Sequence, residues 1–255
     1  MRGYVAFTKK EFLEQLRTFK CLIILCVFFL FGMMSPVLAK IMPDILSSMK
    51  VEGMVFELTK APTAVDAYGQ FFKNVTQMGI LVLLLVFGGM LSNELGKGTL
   101  INILAKGLSR PAVILSKFTA AVALWTVGYL LAAATTFGYT VYLFKDSTVS
   151  NLIFSLFCLW LFGCFILALI LLSSSIAAGS FGGLILTGIT LVILLMISGL
   201  PKIHQYNPIA LASDNVYLLQ NTNEIKHLVF AIVVTIIATI ACLVASILIF
   251  GKKKL

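Results

Sequence analysis

The fold this sequence predicts is an all-α integral membrane protein. It has six transmembrane helices, an N-terminal interfacial helix and a short cytoplasmic helix between the second and third spans. Three observations predict it. Six apolar runs, 21–41, 75–93, 113–144, 152–173, 181–200 and 228–250, each supply the roughly 18–20 residues that cross a hydrocarbon core. Hydrophobic residues make up 60% of the 255 positions and charged ones 11%, well below the roughly 25% charged residues of a soluble domain. The basic residues gather at the ends of the runs. In lipid the backbone must satisfy its own hydrogen bonds, so the runs are helices. Residues 1–255 then form one transmembrane domain, with small extramembrane pieces at 1–20, 94–111 and 201–226.

Residues 1–20 read as the interfacial helix. Thr8 and Glu11 have capping-box spacing. Val5, Phe12, Leu16 and Phe19 can share an apolar face, with Lys9, Lys10, Glu14 and Arg17 elsewhere, as suits a helix lying on a bilayer. The first span follows and ends Pro36-Val37-Leu38-Ala39, which superficially resembles a signal-peptidase site. The basic stretch before the run is too long for that, and an uncleaved span is expected. Residues 42–74, with Asp44, Glu52, Glu57 and Asp66, read as an outer loop of short surface helices.

After the second span the chain reads Ser92-Asn93-Glu94-Leu95-Gly96-Lys97-Gly98-Thr99-Leu100-Ile101-Asn102-Ile103-Leu104-Ala105-Lys106-Gly107-Leu108-Ser109-Arg110-Pro111. Gly96 and Gly98 break the span. A short apolar helix follows, Gly107 ends it, and Ser109 with Pro111 starts the next helix. Such a helix needs a cover, either a partner's groove or the membrane and its own bundle. Residues 145–151 read as a tight turn. Ser173-Ser174-Ser175 and Gly179, Gly182 and Gly183 make the fourth and fifth spans close antiparallel neighbours. In the outer loop 201–226, Asn207 can cap a short helix with Pro208 in its first position. Leu211, Val216, Tyr217 and Leu218 give that loop apolar surface.

Lys and Arg set the orientation. With the N-terminus inside, twelve lie in cytoplasmic pieces and seven outside. Six spans then leave both termini in the cytoplasm of a multi-pass plasma-membrane protein. The net charge of +9 belongs to span ends, which argues against nucleic acid. The five cysteines lie in apolar runs without a Cys-x-x-Cys and read as small packing residues.

Several function classes are disfavoured. The span centres hold no acid, lysine or histidine, so an ion-coupled carrier lacks its relay. No internal repeat marks an inverted-repeat transporter. Gly96-Lys97-Gly98-Thr99 fails the phosphate-loop pattern, because Leu91 stands where glycine is needed and Gly98 where Ser or Thr is needed. A Ser-His-Asp set, a zinc motif or a catalytic carboxylate pair is not expected. Energy for any work must come from a partner.

Glu94, Gly98-Thr99, Leu104, Ser109-Arg110 and Lys117 resemble the acidic-Gly-Thr-Leu-Leu…Ser-Arg…Lys signature of type-2 ABC transporter permeases. Tyr206-Asn207-Pro208 is similar to their Tyr-Asn-Pro element before the last span. The resemblance covers essentially the whole chain. It implies a membrane permease subunit of an ATP-driven exporter of apolar or amphipathic cargo (peptide, drug or lipid-like), paired with a second permease copy in a bacterial cell membrane. It implies two copies of a soluble ATP-binding subunit that hold ATP and Mg, with no cofactor and no ATPase site in this chain. The loop helix would be the coupling helix, with Glu94, Gly98, Thr99, Leu100, Ile101, Ile103, Leu104 and Arg110 as coupling residues. Phe87, Met90, Thr187, Thr190 and Ser198 are the candidate cargo path. The rival reading is a non-transporting membrane scaffold or assembly factor that docks a soluble partner.

Overall fold

The computed structural model describes residues 2–48, 61–96, 98–105, 107–144, 149–177, 181–220 and 225–253. Among these, all regular structure is helical. The chain order is α1 (Arg2–Arg17), α2 (Lys20–Ser48), α3 (Ala64–Gly96), α4 (Thr99–Ala105), α5 (Arg110–Leu143), α6 (Leu152–Ile176) and α7 (Gly182–Ser198). Three short helices, α8 (Pro201–His204), α9 (Ala210–Ser213) and α10 (Asn215–Gln220), precede α11 (Ile225–Lys252). Among the described residues, α2, α3, α5, α6 and α11 are long and apolar enough to cross a membrane. Helix α7, with 17 residues, rises about 25 Å, short of a core of about 30 Å. The protein is an all-α, multi-pass membrane protein.

Two boundaries differ from the sequence reading. Residues 64–74, assigned there to the outer loop, run directly into the second span through a π-helical turn at Val75–Gly79. Asp66, Gln70 and Lys73 lower the hydropathy of this stretch and hide the helix. They occupy one side, while Ala64, Ala67, Tyr68, Phe71 and Phe72 at helical spacing are buried on the other. Thr63 starts the helix, its N–H and hydroxyl both donating to Asp66 Oδ2 at 2.8 Å. The first span also runs on past 41, to Ser48. Lys50, Glu52 and Glu57 lie outside the described residues.

Helix α6 is the axis of the bundle. It is apolar all round, and where the other spans leave much of their surface open it is mostly buried within the bundle. Helices α5, α7, α9, α10 and α11 all pack on it. A Cβ on Gly163 would run into the indole of Trp125, so this glycine lets α5 approach. The aromatic polar groups are paired across that seam. Trp125 donates to the Trp160 carbonyl at 3.1 Å, Trp160 to Thr126 Oγ1 at 2.9 Å, and Tyr129 to the Leu156 carbonyl at 2.9 Å. Helix α2 lies along α5, where Thr136 donates to the Gly32 carbonyl at 3.1 Å.

The expected close pairing of the fourth and fifth spans is present. Gly183 sits against Ser174 and Gly88, and Ser174 donates to the Gly88 carbonyl at 2.8 Å. Beyond α7 the chain folds back. Asn207 is buried; its Nδ2 donates to the Leu194 carbonyl at 2.8 Å and its Oδ1 accepts the Ile209 N–H at 3.0 Å. It therefore turns the chain but does not cap the helix with Pro208 in first position, because the helix begins later, at Ala210, with Ile209 at its N-cap. Leu211 and Leu218 are buried against α6, while Tyr217 faces outward.

Candidate functional site

The residues singled out around 94–117 converge at one end of the bundle with α1. The loop forms as its glycines dictate. Gly98 (φ 67°) and Gly107 (φ 88°) adopt left-handed backbone, open to glycine at little cost, and bracket α4. Ser109 is extended and Pro111 lies in the first turn of α5. Lys97 and Lys106 lie outside the described residues, as do the side chains of Ile101 and Ile103.

Leu100 is fully buried and Leu104 half-buried. They pack into an apolar cluster with Phe7 of α1, Leu91 of α3, Val113 and Ile114 of α5, and Phe250 of α11. The Leu100 and Leu104 part of the face that the sequence left open to a partner or to the bundle is thus covered by the chain itself. Thr99 and Ala105 remain exposed on the helix, and Thr99 Oγ1 donates to the Glu94 carbonyl at 3.2 Å.

Beside this cluster lies a network of charges. Lys117 is almost fully buried and contacts both carboxylate oxygens of Glu11 at 3.0 Å and Glu94 Oε2 at 2.9 Å. Lys10 contacts Glu94 Oε1 at 2.9 Å, Glu11 at 3.2 Å and Glu14. The Phe7 ring lies 5.1 Å from the Lys10 ammonium and 5.9 Å from that of Lys117, within cation–π range. Burial works against the Lys10 charge, but hydrogen bonds to Glu14 and Glu94 and the charges of Glu11 and Glu94 outweigh it and raise its pKa. Burial likewise opposes ionisation of Glu14, and the hydrogen bond and charge of Lys10 prevail and lower its pKa. Glu11, Glu14 and Glu94 bring carboxylate oxygens within 4.8 Å of one another. The two lysine ammoniums serve as the cations of that cluster.

Helix α1 is docked by its polar side, which leaves the apolar face read from the sequence outward. Tyr4, Thr8, Glu11 and Gln15 recur at helical spacing and face α5. Tyr4 OH meets Thr119 Oγ1 at 2.7 Å, and Thr8 Oγ1 donates to Ser116 Oγ at 3.0 Å. Thr8 and Glu11 lie inside a helix that begins at Arg2, so they form no capping box. Val5, Phe12, Leu13, Leu16 and Phe19 are exposed on the other side. Phe19 itself takes a left-handed backbone (φ 58°) at the corner into α2.

The remaining candidates are dispersed. Phe87 and Met90 are buried beneath the charge network, enclosed within the single chain. Thr187 is buried with its hydroxyl on the Gly183 carbonyl, and Thr190 bonds the Leu186 carbonyl. Arg110 binds the end of α11.

Ser198 Oγ lies 2.8 Å from His204 Nδ1, and His204 Nε2 lies 2.9 Å from Asp214 Oδ2. A Ser-His-Asp chain is therefore assembled, contrary to expectation, because the fold-back of α8 and α9 brings distant positions together. It lacks the features of a nucleophile site. Ser198 ends α7, where exposed carbonyls disfavour an oxyanion. The next N–H groups, of Gly199 and Leu200, are taken by Met196 and Ile197 carbonyls.

Two residues the sequence reading did not group with Glu94 are central here. Glu11 was read as part of a cap, and Lys10 as a surface charge. The signal for Glu11 was the polar repeat 4-8-11-15 along one side of the helix; Lys10 carried no such signal. Residues 5–255 match the family described as ABC-2 family transporter protein. No curated protein matches the chain.

Proposed function

The chain belongs to that ABC-2 transporter family and is a membrane permease of an ABC transporter, and on this premise we propose that it works as an exporter driven by a separate ATP-binding subunit. That subunit, in two copies, holds ATP and Mg, and this chain moves an apolar or amphipathic molecule out of the cytoplasm. The observation that carries the reading is the placement of α4. It is a short helix at the bundle end, held on its inner side by Leu100 and exposed at Thr99 and Ala105. The outer side of α4 is then the docking surface, and Leu100 and Leu104 link it to the spans. Glu94 holds the foot of α3 to α1 and α5 through Lys10 and Lys117, so a push on α4 reaches three helices together.

The apolar spans suit a cargo without fixed charge, since an uncompensated charge at the centre of a bilayer is costly. Helix α7 buries Gly183 and Thr187 against the bundle and exposes Ile189, Val192, Ile193 and Met196. This face is the proposed contact with a second permease copy. Both termini are proposed to be cytoplasmic, on the same side as α4.

The test is purification from native membranes and reconstitution. An ATP-binding subunit should accompany the chain, its ATPase activity should respond to amphipathic compounds, and A105W should release it while the chain still inserts. Isolation of the chain with a soluble partner that hydrolyses no ATP would instead support a scaffold.

A further inference from the structure

We propose that Arg110 and Lys253 are positioning residues that bolt the return end of the α4 loop to the last span and to α6, making the end of α11 part of the moving assembly. The proposal rests on the reading that an ATP-binding subunit drives the chain through α4.

The last turn of a helix leaves carbonyls without intrahelical partners and carries the negative end of the dipole. In α11 these carbonyls are claimed from far along the chain. Arg110 Nη1 lies 2.8 Å from the Phe250 carbonyl and 3.0 Å from that of Lys253, and also contacts that of Gly251. Its guanidinium lies 5.9 Å from the Phe250 ring. Phe250 is fully buried in the cluster that holds Leu100 of α4. The same turn then reaches onward: Lys253 Nζ donates to the Ser175 carbonyl at 2.9 Å and the Ala177 carbonyl at 3.2 Å, capping the end of α6.

A continuous path thus runs from α4 through Arg110 to the end of α11, and through Lys253 to α6. Its links are charge-assisted hydrogen bonds, stronger than neutral ones. Arg110 begins α5 directly after the Gly107–Ser109 turn, so a displacement of α4 reaches it along the chain as well as through Glu94. A lysine at 110 would keep the charge but lose the planar fork. The two residues therefore do different work from Glu94 and Lys117. Those fix the entry side of the loop to α1, and these fix its exit side to α6, the axis of the bundle.

The experiment uses the complete complex in nanodiscs of phosphatidylethanolamine and phosphatidylglycerol, with spin labels at S109C and G251C, away from the docking face of α4, and an outer reference at M42C on α2. Labelled chain is diluted with unlabelled copies. On adding ATP and orthovanadate, the 109–251 distance should stay fixed while the 109–42 distance changes. In R110Q and in K253Q the 109–251 distribution should broaden, and ATPase activity of the intact complex should fall about tenfold, the scale of one charge-assisted hydrogen bond. R110K should recover part of both signals. Independent movement of labels 109 and 251 in the otherwise unaltered chain overturns the proposal without any destabilising variant. So does wild-type behaviour of R110Q and K253Q in an active complex. If no ATP-binding subunit accompanies the unaltered chain, the driven-permease reading falls first and this proposal falls with it.

Discussion

Lys117 is the residue on which the docked end of the bundle turns. It neutralises Glu11 and Glu94 in a place where water scarcely reaches. K117M should therefore destabilise the protein by about 1–3 kcal/mol, because it leaves Glu11 and Glu94 with only the more exposed Lys10 as counter-charge. Thermal unfolding in detergent will measure this, and adding E11Q to K117M should recover part of the loss. Proton linkage gives a second expectation. Glu14 has a lowered pKa in the fold, so its contribution is complete above the ordinary glutamate value of about 4.3. It is lost as pH falls through the folded value. Lys10, with a raised pKa, contributes below its ordinary value and fails only as pH rises through the folded one. Attachment of α1, read by protease susceptibility after Arg17, should thus weaken in acid and hold through neutral pH. Glu94 and Lys117 were legible in the sequence because they belong to a recognisable spacing. The bond of Lys117 to Glu11 was not, since it joins positions more than a hundred residues apart.

At the scale of the helix, periodicity was legible, and what covers each face was only half so. The repeat that marks α1 as amphipathic is plain in the sequence and leaves its apolar residues outward, as they are; what its polar side would meet was not readable. Here the polar side meets the protein, because α5 presents Ser116, Lys117 and Thr119 to it. The apolar spans were readable for the opposite reason: each needs only length and low charge. The polar outer turns of α3 were missed because an average over a window hides a one-sided pattern. For α4, inner and outer faces should respond differently to substitution. L104D should destabilise the permease itself by placing a carboxylate beside an apolar cluster, lowering its yield and melting temperature. A105W should leave melting unchanged and affect only retention of the ATP-binding subunit. The α5–α6 seam offers a sharper check: G163A should cost about 1–3 kcal/mol through overlap with Trp125, again measured by thermal unfolding.

For the whole molecule, the distribution of small and large side chains separates a covered side from an open one. Helix α6 is enclosed, whereas α7 and α11 display Ile, Val, Leu and Met over most of their surface. If two copies meet along α7, cysteines at Met196 should crosslink between copies in native membranes, and those at Ile153 on the outer end of α6 should not. The length of α7 carries a different consequence. Its 17 residues fall about 5 Å short of the hydrocarbon depth that the neighbouring spans fill. A bilayer beside such a helix must thin or the helix must be shielded, at a cost that grows with each ångström of hydrophobic mismatch. The chain should therefore register membrane thickness. Reconstituted in lipids of increasing acyl length, it should lose thermal stability as the bilayer thickens, and lengthening α7 by one apolar turn should shift the preferred thickness upward.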